Sequence, residues 1–450
     1  MRIVIVGGGL VGSTLAGKLA QDGHDVVLVE ASASQIQELD ASLDVQLVRG
    51  NGATAPVLRR AGIQDADLVV ATTDSDEVNM TVGLLATELY RVPRVVVRLR
   101  DEGHAEGFSL IAEHDPGKHV RVNPEAAAVD RVFALLAVPG AVDVVSFFND
   151  QLVLAGFRIG ASSDFAGLSL AHMRLLFPAT PTLVTAIQRG DEWVVPSGAE
   201  EIQAGDLVYF SIAREEVRDV VGLIGSELAR EGRIMIAGAD RIGLTLASRL
   251  ERAGQDVVLV EADIERARQA EEALDRTLVI RGHVTDRQLL EEEDIDRVST
   301  FVALTSDHEV NLVSSLLAKR LGAARAFALV DNPALATLIG EVGIDAIISP
   351  RLLAVGLTLQ HIRRGRVRAA AALLEDRVEV LEIEAESGSK LTSDTLAAVA
   401  LPAGVIVAAI QRGDRLLVPS GQDRVEAGDR VLVVTTAETA GQLDAFVSRR

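Results

Sequence analysis

Apolar and polar positions along this chain fall into two regimes that alternate. From Met1 to about Pro139, and again from Arg233 to about Arg368, short β-branched runs alternate with stretches whose apolar residues recur at helical spacing. The runs Ile3–Val6, Asp25–Glu30, Leu68–Ala71 and Val95–Val97 are examples of the first kind, and Leu15 with Leu19 of the second. That alternation predicts parallel strands covered by helices. From about Gly140 to Gly222, and from Ala369 to Arg450, short Val/Ile/Leu runs are broken by Gly-Asp and Pro-Ser-Gly turns, which predicts a small β-rich domain each time. Glu215–Gly222 reads as a short helix closing the first of these. Pro124–Leu136, apolar at Ala127, Val132, Leu135 and Leu136, reads as a helix suited to packing one strand-helix block on the other.

The two halves repeat each other. RIVIVGGGLVGSTLAGKLAQDGHDVVLVE from Arg2 matches RIMIAGADRIGLTLASRLERAGQDVVLVE from Arg233 without a gap, and the offset, 261 less 30, is 231 residues. Glu77-Val78-Asn79 recurs as Glu309-Val310-Asn311, and Val122-Asn123-Pro124 echoes Ile348-Ser349-Pro350. AIQRGDEWVVPSGAEEIQAGDLVYF from Ala186 resembles AIQRGDRLLVPSGQDRVEAGDRVLVV from Ala409, so the order of blocks is A-B-A-B.

The first run ends in Gly7-Gly8-Gly9-Leu10-Val11-Gly12, a Gly-x-Gly-x-x-Gly between a strand and a helix, where a dinucleotide loop has to lie. Gly7 permits the tight turn, Gly9 lets the backbone approach a pyrophosphate, and Gly12 lets helix and strand pack closely. The helix N-terminus offers its free N–H groups to phosphate. Glu30 ends the next strand 18 residues after Gly12, where a carboxylate can accept from ribose hydroxyls and disfavours a 2′-phosphate. Asn51, Thr73-Asp74 and Arg98 fall at strand ends on the same edge of a doubly wound sheet, and Arg98 can pair with a phosphate.

In the second block the loop is Gly238-Ala239-Asp240-Arg241-Ile242-Gly243. Its middle glycine has become Asp240, adding bulk and negative charge where pyrophosphate would lie. Leu329 stands opposite Arg98, while Glu261 keeps the place of Glu30. This second site is expected to be weaker, altered in ligand, or empty. The fold class is therefore α/β: two Rossmann-like doubly wound parallel-sheet domains, 1–139 and 233–368, alternating with two small β-rich α/β domains, 140–222 and 369–450.

Composition narrows the function. At 450 residues the chain holds two to four domains, and the absence of cysteine excludes disulfides, thiolate zinc sites and cysteine nucleophiles. A net charge of -21 with 3% aromatic residues disfavours nucleic acid. Mean hydropathy is +0.26, yet the longest apolar candidate, Leu396–Ile410, contains Pro402 and Gly404 and is too short to span a bilayer. Met1-Arg2 leads straight into a strand, so no secretory signal is expected.

A dehydrogenase would use the same loop, but it needs a substrate domain with a proton donor and a clamp. The B blocks are only about 80 residues, and the eight histidines are scattered. Neither a P-loop nor a metal motif is present; Glu291-Glu292-Glu293-Asp294 reads as a solvated helix face, and Arg363-Arg364-Gly365-Arg366-Val367-Arg368 as a charged connector, with contact to anionic lipid or the loops of a membrane protein as the alternative.

The composite of glycine loop, terminal acid and Pro-Ser-Gly…Ala-Gly-Asp, twice over, resembles the TrkA-type regulatory subunits of bacterial Trk potassium uptake systems. The A block is similar to the regulator-of-potassium-conductance nucleotide-binding domain, and the B block to its C-terminal companion. The resemblance implies a non-enzymatic subunit, cytoplasmic and peripheral on the inner face of the plasma membrane, a homodimer or homotetramer regulating a membrane-embedded potassium transporter. It also implies NAD(H), ATP or ADP as regulatory ligands. The family's contacts fall on Gly7, Gly8, Gly9, Leu10, Val11, Glu30, Thr73, Asp74 and Arg98 in the first block. Their counterparts are Gly238, Ala239, Asp240, Arg241, Ile242 and Glu261 in the second.

Overall fold

The computed structural model describes residues 1–112, 119–161, 163–176, 182–190, 192–224, 232–331, 343–362, 367–373, 378–399, 401–436, 439 and 446. The first strands are β1 (Arg2–Val6), β2 (Asp25–Glu30), β3 (Gln46–Arg49), β4 (Leu68–Ala71), β5 (Val95–Arg98) and β6 (His119–Val122). They form one parallel sheet in the order β3-β2-β1-β4-β5-β6. Alternate side chains of β1 serve opposite faces, as a period of two requires. Val4 and Val6 join Val27, Val69 and Phe108 on one face, while Ile3 and Ile5 join Leu15, Leu19 and Leu28 on the other. Both faces are buried under helices, which is why the strand sequences are continuously apolar.

The next strands, β7 (Asp143–Phe147), β8 (Leu152–Arg158), β9 (Thr182–Arg189), β10 (Glu192–Val194) and β11 (Leu207–Ala213), make a small antiparallel sheet ordered β10-β9-β11-β8-β7. A helix at Val217–Ile224 closes this domain, of the same length as the predicted Glu215–Gly222 but shifted two residues toward the C-terminus, and Leu170–Leu176 adds a short helix that the hydrophobic pattern did not reveal.

The design then repeats. Strands β12 (Ile234–Ala237), β13 (Val257–Glu261), β14 (Leu278–Arg281), β15 (Thr300–Ala303), β16 (Arg325–Leu329) and β17 (Ala346–Ile348) build a second parallel sheet in the order β14-β13-β12-β15-β16-β17. Strands β18 (Val367–Leu373), β19 (Val378–Glu384), β20 (Val405–Arg412), β21 (Arg415–Leu417) and β22 (Arg430–Thr436) build a second small antiparallel sheet, β18-β19-β22-β20-β21. The architecture is that of two Rossmann-like sheets alternating with two small β-rich domains.

Two compact units emerge, residues 1–128 with 349–364, and residues 129–348 with 365–450. Within the second unit the two small sheets share one core, in which Phe148, Leu154 and Tyr209 pack with Val378, Val380, Ala408 and Leu432. Ser211 Oγ donates to Ala408 O at 3.0 Å inside it.

The division into units exposes an exchange of helices. The helix Pro350–Ile362 follows the second Rossmann-like sheet in sequence but belongs to the first unit, burying Ala354 and Val355 against the core of Leu15, Leu19 and Leu28. Arg94 Nη1 donates to the carbonyl of His361 at its C-terminus, 3.1 Å away. The helix Pro124–Ala137 passes into the second unit from Val129 onward. There Arg249 stacks over Phe133 at 4.2 Å and pairs with Asp130, and Arg325 Nη2 donates to Leu135 O at 3.0 Å and Ala141 O at 3.3 Å. Arg94 and Arg325 occupy equivalent positions in the repeat. Each supplies a cation to the last carbonyls of an exchanged helix, which have no intrahelical partner.

Candidate functional site

At the C-terminal edge of the first sheet, the loop Gly7–Gly12 turns from β1 into the helix Leu10–Gln21. Gly7 has φ +106°, and a Cβ there would meet Thr73 N at 2.9 Å, so the turn and its contact with the end of β4 both require glycine. Gly12 is required for a different reason. A Cβ on it would lie far inside contact distance of Gly7 O and 2.9 Å from Thr72 Oγ1. Gly9 differs from both, since its backbone is extended at φ -65°, ψ -173° and a Cβ would meet nothing within 4 Å. Nothing in the fold asks for glycine at position 9. The helix that starts there has no side-chain cap and no acidic residue in its first turn, so its N-terminus is bare of negative charge.

Glu30 is already engaged by the protein. Its Oε2 accepts from Gly8 N and its Oε1 from Ser32 N, both at 2.7 Å, and these two bonds hold the loop against β2. Each carboxylate oxygen retains a lone pair, and the side chain is half-buried, so a ribose hydroxyl can still donate to it. Gln35 Nε2 donates to Gly8 O at 3.2 Å beside it. Leu10 and Gly9 are exposed, Gly8 and Val11 buried.

The remaining predicted residues lie on the same sheet edge. Asn51 is exposed and closes a turn by accepting from Ala53 N at 2.9 Å. Asp74 is open to solvent, and Arg98 Nη1 approaches its Oδ1 at 3.4 Å. The Arg98 side chain is only 17% exposed, and its Nε is buried without a partner. Burial, then the nearby Arg100 guanidinium, lowers its pKa below the ordinary value, against the pull of Asp74, Glu125 and Asp76. An added phosphate would bring a further counter-charge to this largely buried guanidinium, beside that of Asp74.

Asn79 was recognised only as part of a repeated tripeptide, yet it organises the site. Fully buried, it accepts from Thr73 N at 2.9 Å and Thr73 Oγ1 at 2.7 Å, and donates to Thr73 O at 2.9 Å and Arg98 O at 3.0 Å. One side chain thus ties the end of β4 to the end of β5. Asn311 repeats the pattern with Thr305 and Leu329 O. Beneath Asp74, Asp76 accepts from the amides of Arg100 and Asp101, each at 2.8 Å.

The second block keeps the fold of the loop and changes its contents. Gly238 has φ +101°, and a Cβ at Gly243 would collide with Gly238 O, so both glycines remain obligatory. Glu261 accepts from Ala239 N at 2.7 Å and Asp263 N at 2.8 Å, as Glu30 does in the first block. Asp240, however, does not stand as an isolated charge. Arg266 Nη1 reaches its Oδ1 at 2.9 Å, and Arg266 Nη2 reaches Glu261 Oε1 at 3.0 Å. Glu261 is 4% exposed. Arg241 and Ile242 open the helix Arg241–Arg252, and Ala239 is buried. Arg266, at the position of Gln35, carries no motif signal of its own, since it lies outside both the glycine loop and the acid that ends the next strand.

Elsewhere, Glu291 pairs with Arg287 at 2.7 Å, and the acidic run leaves its helix after Glu292. Arg363–Arg366 lie outside the described residues. Among the described residues no group of three or more His, Asp or Glu is placed to hold a metal ion, and no helix is long and apolar enough to cross a membrane.

Residues 3–114 and 234–350 match the TrkA-N domain, and residues 154–225 and 380–448 match the TrkA-C domain. The Trk system potassium uptake protein TrkA of Halomonas elongata is 36% identical over 440 residues, covering 96% of this chain and 95% of that protein. TrkA of Azorhizobium caulinodans is 36% identical over 442 residues, with 97% and 96% covered. Among solved structures, the GsuK RCK domain superposes with a TM-score of 0.63 at 20% identity, covering 99% of this chain and 94% of that one. The GsuK channel bound to NAD gives 0.63 at 20%, covering 99% and 78%. These two likenesses establish a shared fold. Two TrkA-N and two TrkA-C matches in tandem, together with full-length relatives 36% identical, show that the chain belongs to the TrkA family of Trk system potassium uptake proteins.

Proposed function

We propose that this chain is a cytoplasmic, non-enzymatic regulatory subunit that binds an adenine nucleotide in its first Rossmann-like block and thereby gates a membrane-embedded potassium transporter of the Trk type. The observation that carries the reading is Gly9: a glycine that no packing demands, opening onto an uncapped helix N-terminus, with a half-buried carboxylate on one side and a largely buried arginine on the other. In this arrangement the pyrophosphate lies against the free N–H groups at Gly9, Leu10 and Val11. Glu30 accepts from the adenosine ribose, and Arg98 with Thr73 and Asp74 faces the distal phosphate or second nucleoside. NAD(H), ADP and ATP all offer this chemistry. Relatives named for potassium uptake support the transport role, and the GsuK channel structures bound to NAD and to ADP support the ligand class.

The domains are 1–139, 140–222, 233–368 and 369–450, and each acts as one module. The assembly is a homodimer or homotetramer on the inner face of the membrane. A nucleotide that favours one arrangement of the modules shifts the population toward it, and the transporter reports the shift. Docking of a chain at -21 onto basic cytoplasmic loops weakens as salt rises. The test is ion flux through the Trk transporter reconstituted in liposomes, with and without the subunit and with each nucleotide. The expected result is a nucleotide-dependent change abolished by Gly9→Asp with Glu30→Ala; flux indifferent to the subunit under every nucleotide, or catalytic turnover of NAD(H) by the purified chain, would refute it.

A further inference from the structure

We propose that the second Rossmann-like block is closed to nucleotide by its own Arg266, which with Asp240 takes the places a ligand would fill, so that each chain carries a single working site. This rests on the reading of the first block as that working site.

Three features of the first site have been answered from within the protein in the second. The helix N-terminus, uncharged at Gly9, has Asp240 as its N-cap residue in the second block; the carboxylate caps no helix amide and turns to Arg266, which sets a negative charge beside the place of a phosphate. That carboxylate cannot withdraw, because it is attached to the turn itself. The ribose acid, half-buried at Glu30, is buried at Glu261, whose Oε1 accepts from Arg266 at 3.0 Å as well as from Asp263 N at 2.8 Å. The phosphate-facing arginine of the first block is Leu329 here.

Arg266 is built into place. Asp263 caps the helix Ile264–Ala273, accepting from Arg266 N at 2.9 Å, which fixes the arginine in the first turn. From there its guanidinium spans Asp240 and Glu261, with 2.9 Å to one and 3.0 Å to the other. In the first block the same helical position is Gln35, a neutral side chain that reaches only Gly8 O. The two substitutions therefore make sense together. Asp240 alone would leave two carboxylates facing each other across the loop, and Arg266 alone would leave a cation to attract phosphate; together they neutralise each other and occupy the site. Arg266 is half-exposed, so solvent screens its pair with Asp240, and displacing it costs a competitor about fivefold in affinity.

The test is calorimetric titration of the full chain with ADP and with NADH. Wild type is expected to bind one equivalent, lost with Gly9→Asp plus Gln35→Arg, a pair that fits the open space at Gly9. Asp240→Gly plus Arg266→Gln, which gives these two positions of the second block the residues of the first, is expected to bind a second equivalent, with thermal unfolding checking that the fold is kept. Arg266→Gln alone is expected to add none, since Asp240 is then unpaired. Two equivalents in wild type, or a paired exchange that folds and adds no second equivalent, would overturn the closure. Loss of a wild-type second equivalent on Arg266→Gln would overturn it too, by making Arg266 a ligand contact. Absence of all binding in wild type would instead refute the reading of the first block.

Discussion

The same substitution, glycine to alanine, is expected to have opposite consequences three residues apart. At Gly12 the new methyl would fall far under 3.0 Å from the Gly7 carbonyl oxygen and 2.9 Å from Thr72 Oγ1, closer than real Cβ atoms come. The obstacle is backbone held in a turn at φ +106°, not the end of a flexible side chain. Relief requires the helix to move off β1, an overpacking cost of about 3 kcal/mol. At Gly9 the methyl meets nothing within 4 Å and the backbone is already in a conformation open to any residue. Gly9→Ala therefore changes stability by less than about 0.5 kcal/mol. Because the chain has several domains, a single melting curve does not isolate the effect. Amide hydrogen exchange does: in Gly12→Ala, β1 and the helix Leu10–Gln21 are expected to exchange about a hundredfold faster, and in Gly9→Ala at the wild-type rate. Gly243→Ala should repeat the first result in the second block. Unaltered exchange in Gly12→Ala, or strong deprotection in Gly9→Ala, would refute this division of labour among the glycines.

Asn79→Ala leaves the part-buried Thr73 N–H and Arg98 carbonyl without this partner, and local destabilisation of about 2 kcal/mol is expected by hydrogen exchange, with weaker nucleotide binding by titration. Asn311→Ala should cost similar stability while leaving nucleotide binding unchanged. Burial by itself would raise the pKa of Asp76, but the amides of Asp101 and Arg100 and the Arg100 guanidinium together hold it below the ordinary 3.8. Its contribution is therefore present above 3.8 and lost as pH falls below that value toward the folded pKa, so the acid limb of stability should be shallower in Asp76→Asn than in wild type. Arg325→Met removes the donor to Leu135 O and Ala141 O, and faster exchange is expected in the last turn of Pro124–Ala137; Arg94→Met should do the same to Pro350–Ile362.

The parallel sheets of the A blocks were legible because strands buried on both faces leave unbroken apolar runs, and the repeat doubled the signal; the strand orders were not. The glycine motif was legible too, but its three members carry different information. Gly7 and Gly12 serve the turn and the helix-strand contact, and their persistence as Gly238 and Gly243 reports the fold alone. Only Gly9 is free of packing, and it is the one replaced in the second block. Arg266 was hidden because its importance comes from two acids, Asp240 and Glu261, at sequence distances of 26 and 5 residues, which only the folded loop brings to one guanidinium. The seat of the helix Pro124–Ala137 was legible only in part, since an apolar stripe announces that a helix will be covered without naming the sheet that covers it.

The exchange of Pro124–Ala137 and Pro350–Ile362 has a consequence for how the protein tolerates being divided. A half-length product ending before Arg233 would carry the first Rossmann-like sheet without the helix that covers Leu15, Leu19 and Leu28, leaving an apolar surface uncovered. With both halves on one polypeptide, that helix is always present at the high local concentration set by the tether, whatever the dilution of the protein. Covalent linkage also frees the two halves from having to be identical, so one loop could lose its open glycine while its helix went on completing the other half.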